Sequence, residues 1–518
     1  MEDVVPEDLK ASARAGVRWS GLLAAASGVV QVLRLFVLAR YLLEPDDFGL
    51  MALAVSCTYI ASPLADAGTQ LALIHKQDAT RQEISSLYWF NVGLGLLLSL
   101  LLWIVAPYLG GILGDARVGP VLRMASLCFA VEGFGLTFLI LMKRDLDFRR
   151  TSLIEAGALI GGTVVTFVLA FLHWGVWSLA VGLVSTSLLR AVMSIACGIR
   201  RHSMDFRLRF DELGDFLRFG VFQMAQTAVV RMSERFDQII VGLLGGAASV
   251  GLYSVAYNIA SIPVLHVLPL LAMPAASVFS RAEARKDGAQ LARGYFLAVE
   301  MMMTLNGAIA FGLLAVAPTF VPALLGEKWV PIVPILQALC VVTIWYAFYS
   351  LSGALVIAKG QTRLGFLWRL GLTAALICAG YVGARLGGAS GLATALALVL
   401  AAGAIPFYFV VVRRLIGPSA ARFATALCVP LALAATMAVV VLLVGSLLAS
   451  APPLLRLALQ IGLGAAIFGV LVVAVRPSIA SEMALVAPHE AIRSRLTDLL
   501  ARADKVRQRL MPRLAGLF

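Results

Sequence analysis

Apolar runs long enough to cross a lipid bilayer occupy most of this 518-residue chain. A transmembrane helix needs about 20 consecutive apolar residues, and we count fourteen runs of that kind. They lie near residues 17–38, 49–73, 87–109, 118–142, 152–172, 176–198, 216–243, 251–279, 295–317, 331–357, 364–384, 390–411, 423–447 and 454–475. Because 60% of the residues are hydrophobic and only 14% are charged, a soluble domain would leave much of this surface in water. The sequence therefore predicts an all-α polytopic membrane protein of about 14 transmembrane helices.

Lysine and arginine are distributed unevenly over alternate connecting segments, which predicts the orientation of the chain. If the amino terminus is cytoplasmic, thirty of these residues fall on inner segments and four on outer segments, namely Arg40, Arg117, Lys328 and Arg385. Basic residues concentrate on the cytoplasmic side of membrane proteins. We therefore expect both termini to lie on the cytoplasmic side of the membrane. The net charge of +13 then reflects loops that face an anionic leaflet, and no nucleic-acid partner is expected.

The sequence contains no pattern typical of catalysis or of metal binding. All six cysteines lie in apolar runs and form no Cys-x-x-Cys pair, as expected of small residues in a core. The predicted outer loops are too short to hold an active site. We therefore expect a protein that is not an enzyme and that uses no metal and no other cofactor.

The longest predicted extramembrane segment is the basic tail, residues 479–518. Apolar residues recur in this tail at intervals of three and four, which predicts an amphipathic helix. Two placements of this helix remain open, because its apolar face suits the inner leaflet, whereas its many charges are also compatible with a solvated position.

Two nine-residue stretches about 200 residues apart resemble each other. Residues 42–50 join the first and second runs, residues 244–252 join the seventh and eighth, and each opens the following run with Gly-Leu. This predicts a duplicated six-span unit whose copies are related by an axis along the membrane normal. The predicted domains are an N-lobe of spans 1–6 (1–205), a C-lobe of spans 7–12 (206–415), spans 13 and 14 (416–478) and the tail (479–518).

Polar side chains form a stripe along span seven. They occupy about one third of the helix circumference and comprise Gln223, Thr227, Arg231, Glu234, Arg235 and Gln238. Span one carries a sparser stripe with Gln31 and Arg34. Because ionised groups in a membrane usually face a cavity or a partner, we predict that these eight residues line a central cleft and bind substrate. In the alternative interpretation, Glu234 and the two neighbouring arginines neutralise each other at helical spacing.

Single carboxylates occur in four other predicted spans, at Asp66, Glu132, Glu155 and Glu300. A buried carboxylate is able to carry a coupling proton or cation, and we take Asp66 and Glu300 as the candidates for ion coupling. An equally open interpretation is that each carboxylate is the structural partner of an arginine within a span. The arginines available for such pairs are Arg34, Arg123, Arg190 and Arg369.

Ten short motifs follow one another in a distinctive order. They are GVRWS (16–20), LARYL (38–42), DFGL (47–50), DAG (66–68), IHKQ (74–77), YWFN (88–91), KRDLDFRR (143–150), RFDQIIVG (235–242), GLYSVAY (251–257) and GEKWVP (326–331). Together they resemble the polysaccharide transport branch of the multidrug/oligosaccharidyl-lipid/polysaccharide exporter superfamily, the Wzx-like flippases. The resemblance covers about residues 10–415 and implies two six-helix lobes in a V around a central cleft, with two further helices after them. It also implies alternating access and a polyprenyl-diphosphate-linked oligosaccharide as cargo.

Three functions are compatible with the sequence. We favour a flippase that carries the lipid-linked oligosaccharide from the cytoplasmic to the outer leaflet for exopolysaccharide, O-antigen or capsule synthesis, with polysaccharide polymerase and glycosyltransferases as further partners. A drug or cation antiporter of the same superfamily would need carboxylates to dominate the cleft, whereas arginines are predicted there. A membrane glycosyltransferase or ligase would need an acidic or metal-binding site on a substantial outer loop.

Overall fold

The computed structural model describes residues 21–475, except residues 22, 24–25, 71–72, 74–75, 77–78, 203–208, 210–212 and 449. Within these residues the chain is helical and contains no strand, as predicted. The helices are α1 (26–37, continued by a π-helical turn at Leu38–Leu42), α2 (Pro45–Asp66), α3 (Arg81–Ile112), α4 (Val118–Arg144), α5 (Phe148–Phe171), α6 (Val176–Gly198), α7 (Gly214–Ala284), α8 (Gly288–Leu324), α9 (Ile332–Ala358), α10 (Thr362–Phe407), α11 (Ala420–Leu447) and α12 (Pro453–Val475). The predicted tail helix at 479–518 lies outside the described residues.

Two of these helices are interrupted by glycine. An unbroken helix of the 71 residues in α7 would be about 105 Å long, more than three times the thickness of the hydrocarbon core. Gly246 interrupts it with φ 71° and ψ −178°, a conformation that only glycine adopts readily. We call the two parts α7a (214–245) and α7b (247–284). In α10, Gly387 and Gly388 form an equivalent break.

Eleven helices in the described part of the chain are long and apolar enough to cross a membrane. Two of these eleven contain the glycine breaks, and the first predicted span falls partly outside the described residues. The chain is therefore a multi-pass membrane protein, and the count of fourteen spans stays a prediction.

Helix starts follow capping signals that are visible in the sequence. At the start of α2, the Glu44 and Asp47 side chains exchange hydrogen bonds with each other's backbone N–H groups, and Pro45 occupies the first helical position. Thr80 and Glu83 form the same capping box at α3. These contacts satisfy backbone N–H groups that have no partner within the helix.

The helices pack into two compact units, residues 1–255 and 256–518. In the second unit, α8 packs against α9, α11 and α12, and an apolar core that includes Ala315, Met437 and Phe468 joins α8 to α11 and α12. The first unit contains α1 to α6, all of α7a and the start of α7b. The sequence instead places residues 206–255 in its C-lobe. The predicted lobe boundary at 205/206 marks the start of the second copy of a duplicated unit, whereas the two units are defined by packing. The lobe boundary therefore stays a prediction.

Ion pairs in the first unit group the connecting segments at its two ends. Arg117 pairs with Asp46, and both belong to segments predicted to lie outside. Arg201 pairs with Asp147 across two segments that are predicted to lie inside. The alternation of predicted inner and outer segments is therefore consistent with the packing of this unit.

Helices α5 and α6, which correspond to the runs at 152–172 and 176–198, form a hairpin. The turn between them contains His173 and Gly175, both with positive φ. Gly162 lies against Thr186, and Gly182 lies against Thr166, so a methyl group at either glycine would collide with a threonine hydroxyl. Small residues let membrane helices approach closely. These glycines therefore allow α5 and α6 to pack tightly against each other in the hairpin.

Helix α2 runs antiparallel to α7a, and its first residues meet the start of α7b. Proceeding along α2, Gly49 lies against Ala247, Leu53 against Gly242, Ser56 against Gln238, Tyr59 against Arg231 and Gly68 against Gly220. At Gly68 the two backbones come so close that a Cβ on either glycine would collide with a carbonyl oxygen of the other helix. This register decides which side chains of the two helices meet.

Candidate functional site

A cavity of about 390 Å³ opens between α2, α4 and α7a in the first unit. Six polar side chains face it beside apolar ones. The lining residues are Ser62, Pro63, Ala65, Gly68, Gln70, Phe129, Glu132, Gly133, Leu136, Gln223, Met224, Thr227 and Arg231. A membrane helix rarely leaves such groups against lipid, because each unpaired polar group costs free energy there.

The cavity lies beside the last turns of α2 and the residues that follow this helix. The helix stops at Asp66, because Ala67 and Gly68 both have positive φ and cannot continue it. The contact of Gly68 with Gly220 fixes α7a at this end. From Tyr59 towards residue 49 the two helices remain in contact. The cavity therefore lies at the end of α2 that is predicted to be cytoplasmic.

Three of the predicted substrate residues share one wall of the cavity. Gln223, Thr227 and Arg231 follow one another at intervals of four along α7a. The Thr227 hydroxyl donates to the Gln223 carbonyl at 2.8 Å, and the Gln223 amide lies 3.4 Å from that hydroxyl. The predicted stripe thus does face a cavity here, with the arginine at the end farthest from Gly220.

Tyr59 on α2 meets the remaining charged part of the stripe. Its ring centroid lies 4.1 Å from Cζ of Arg231 and 4.8 Å from Cζ of Arg235. Its hydroxyl donates to Oε2 of Glu234 at 2.8 Å. Within the described residues, Arg231, Glu234 and Arg235 form no ion pair with one another. Mutual neutralisation along α7a is therefore not the arrangement found.

Sequence reasoning missed Tyr59, and the sequence carried little signal for it. The residue is one aromatic side chain in an apolar span, where aromatic residues usually pack in the core or face lipid. Its role depends on a neighbour 175 positions away. The arginines in span seven were the only hint, since an aromatic ring is a common partner for a buried guanidinium.

Several predicted site residues do not line the cavity. Gln238 is buried and accepts a hydrogen bond of 2.7 Å from the Ser56 hydroxyl. On α1, Gln31 is exposed and Arg34 is half-buried. Among the ion-coupling candidates, Glu300 belongs to the second unit. The side chain of Asp66 lies outside the described residues.

Glu132 on α4 reaches the cavity from the opposite side. Its Oε1 accepts hydrogen bonds from Nη1 of Arg190 at 3.0 Å and from the Ser187 hydroxyl at 2.7 Å. Nε of Arg190 donates to Oε2 of Glu155 at 3.0 Å. One arginine thus binds two carboxylates inside the helical bundle. For Glu132 and Glu155 the structure shows the structural partner that the sequence left open.

Comparisons with known proteins agree with this architecture. Residues 37–334 match the profile of a family described as polysaccharide biosynthesis protein. The lipopolysaccharide biosynthesis protein WzxC of Escherichia coli (strain K12) is 27% identical over 419 residues, which are 80% of this chain and 84% of that protein.

Two solved structures share the fold. The lipid II flippase MurJ in an inward closed conformation matches with a TM-score of 0.71 at 14% identity, over 87% of this chain and 97% of that one. An inward-facing multidrug resistance MATE family transporter of the MOP superfamily matches with a TM-score of 0.61 at 16% identity, over 75% and 94% of the two chains. At these identities the two structures establish the fold alone, and they confirm the predicted fold class.

Proposed function

The chain belongs to the polysaccharide biosynthesis protein family that its residues 37–334 match, and we propose that it flips a polyprenyl-diphosphate-linked oligosaccharide across the bacterial cytoplasmic membrane. It is a transporter and not an enzyme. The relative WzxC is named for lipopolysaccharide biosynthesis, and the fold is that of the lipid II flippase MurJ. Both names support a lipid-linked glycan as the cargo.

The proposal rests on the contacts of Arg231, which lines the cavity. Its guanidinium rests on the Tyr59 ring and has no carboxylate partner within the described residues. A guanidinium keeps its charge in a membrane protein and presents planar N–H donors that match the oxygens of a phosphate in pairs. Arg231 and Arg235, one helical turn apart, therefore form a suitable site for the diphosphate. Arg34 does not line this cavity, and its role as a third arginine for the diphosphate stays a prediction from the sequence.

The uncharged lining suits the glycan. Ser62, Gln70, Gln223 and Thr227 offer hydroxyl and amide groups, which both donate and accept hydrogen bonds as sugar hydroxyls do. The cavity lies at the end of α2 that we assign to the cytoplasm. That location supports loading from the inner leaflet, where glycosyltransferases would supply the substrate, and release on the outer side to a polysaccharide polymerase.

The drug or cation antiporter is less well supported by the cavity. A cationic substrate requires a free carboxylate, and the cavity-facing Glu132 is bound by Arg190 and Ser187. The third candidate, a membrane glycosyltransferase or ligase, would be an enzyme and is incompatible with the assignment as a transporter. We therefore expect no glycosyl transfer and no metal requirement from the purified protein.

Reconstitution into liposomes tests the proposal. A polyprenyl diphosphate that carries a labelled oligosaccharide is placed in both leaflets, and a membrane-impermeant glycosidase removes the label from the outer leaflet. We expect liposomes with the protein to lose nearly all of the label and empty liposomes to lose about half of it. Equal loss in both, with correctly folded protein, would contradict the proposal. Label transferred to a new lipid would contradict the assignment as a transporter.

A further inference from the structure

Tyr59 joins α2 to three charged residues of α7a at the edge of the cavity. Its ring contacts the guanidinium groups of Arg231 and Arg235, and its hydroxyl donates to Glu234. Two positive charges one helical turn apart repel each other, and the electron-rich ring face offsets part of that repulsion. One aromatic side chain thus fixes the positions of two arginines.

The ring holds these arginines without occupying their hydrogen-bonding capacity. A cation–π contact leaves the N–H donors of the guanidinium unused, whereas an ion pair with a carboxylate would occupy one or two of them. Within the part of the chain that is described, neither guanidinium is paired with a carboxylate. The N–H donors of Arg231 therefore remain available for an anion in the cavity, and those of Arg235 lie one helical turn beyond this lining residue.

Glu234 is the carboxylate best placed to compete with such an anion. It follows Arg231 by three positions, the spacing at which a glutamate and an arginine pair on one helix. In the structure its Oε2 accepts a hydrogen bond from the Tyr59 hydroxyl at 2.8 Å, and it forms no ion pair with Arg231. The hydroxyl therefore holds this carboxylate away from the guanidinium.

We propose that Tyr59 is a positioning residue for the anionic headgroup of the substrate. Its ring sets the two guanidinium groups one turn apart, and its hydroxyl keeps Glu234 from neutralising Arg231. This inference rests on the proposed function and extends it to a residue on a different helix from the arginines.

Binding of farnesyl diphosphate to the full-length protein in detergent, followed by calorimetry, tests the inference. Tyr59→Phe keeps the ring and releases Glu234, so we expect an affinity about three- to tenfold lower than that of the wild type. Adding Glu234→Gln to Tyr59→Phe removes the competing charge and should return the affinity to within about twofold of the wild type. Tyr59→Leu also removes the ring, so Glu234→Gln should rescue it only in part.

Tyr253→Phe is the matched control. The Tyr253 hydroxyl donates to Oδ2 of Asp237, also at 2.8 Å, but the pair is buried and does not line the cavity. We expect this variant to lower the unfolding temperature and to leave the dissociation constant unchanged. A merely structural role for Tyr59 would give the same result as this control.

The outcomes separate the inference from the proposed function. If the wild type binds and Tyr59→Phe binds equally well, or if Glu234→Gln fails to rescue it, the inference is wrong and the proposed function stands. If the folded wild type does not bind farnesyl diphosphate, the diphosphate site is wrong, and the role of Tyr59 is wrong with it.

Discussion

Gly49 and Gly251 face each other backbone to backbone where α2 and α7b begin. A Cβ on Gly49 would collide with the carbonyl oxygen of Ala247, and a Cβ on Gly251 would collide with that of Pro45. Pro45 and Ala247 are separated by the same 202 positions as Gly49 and Gly251. Each glycine thus contacts, in the other segment, the residue four positions before the other glycine. A two-fold axis between duplicated segments produces this kind of reciprocal contact. The similar stretches 42–50 and 244–252 therefore meet each other in the fold.

Adding a methyl group at this crossing should push the two helices apart. We expect Gly49→Ala and Gly251→Ala each to lower the free energy of unfolding by about 1–3 kcal/mol, because carbonyl oxygens of the backbone cannot move aside as a flexible side chain does. Because the glycines share one contact, the double variant should lose less than the sum of the single losses. Thermal unfolding in detergent measures both effects.

Gly93 on α3 provides the control for this prediction. It is exposed, and a Cβ at that position would meet no atom within 4 Å. Gly93→Ala should be neutral or stabilising by up to about 1 kcal/mol, because alanine favours a helix more than glycine does. Equal stability of Gly49→Ala and Gly93→Ala would show that α2 and α7b are not in contact in the membrane.

Replacing the arginines of the site should slow translocation without reducing the amount of protein. A neutral glutamine at Arg231 or Arg235 removes a charge-assisted hydrogen bond of about 1.5–3 kcal/mol, which corresponds to a loss of roughly ten- to a hundredfold. Lysine keeps the charge but loses the paired geometry, so it should retain an intermediate rate. The same order is expected at Arg34. Translocation in liposomes and protein abundance in the membrane are measured together.

The control for the arginine series is Arg123→Gln. Arg123 also lies over an aromatic ring, at 4.4 Å from the centroid of Trp103, but it is not part of the cavity. We expect near-normal translocation from this variant. Restoration of the wild-type rate in Arg231→Gln by a second change, Glu234→Gln, would mean that the two residues balance each other and that Arg231 does not hold substrate.

Removing Arg190 should destabilise the first unit. Arg190→Gln would leave Glu132 and Glu155 without their shared cation inside the helical bundle. An unpaired ion in such a place costs several kcal/mol when buried. Because these side chains are between 32% and 43% exposed, we expect a smaller loss of about 2 kcal/mol. Changing Glu132 and Glu155 to glutamine as well should recover most of the stability. An unaltered unfolding temperature in Arg190→Gln would show that the ion pairs contribute little.

Reporter fusions test the orientation that we propose. Fusions after Arg150, after Arg209 and at the carboxyl terminus should report the cytoplasm, whereas fusions at Arg117 and Lys328 should report the outside. The reason is the bias of basic residues towards inner segments. A cytoplasmic signal at Lys328 would be incompatible with fourteen spans, because it would require an odd number of crossings to be added or lost before that residue.

The class of the protein and the polar face of α7a were predictable from the sequence because both depend on local order. Hydropathy over about 20 residues identifies a membrane span, and a helix of 3.6 residues per turn places Gln223, Thr227 and Arg231 on one side. The capping residues Glu44, Pro45 and Asp47 at the start of α2 are also neighbours in the chain, but hydropathy alone placed the start of the second run at residue 49.

The partners of these side chains were decided by tertiary structure. Gln238 belongs to the same stripe as Arg231, yet it is buried against Ser56, while Arg231 lies against Tyr59 at the cavity. The rotation and register of α2 against α7a follow from the glycine contacts at the ends of α2, which join residues far apart in the chain. Periodicity gives the angle of a side chain around its own helix and carries no information about the neighbouring helix. Packing between helices therefore determined which polar residues line the cavity.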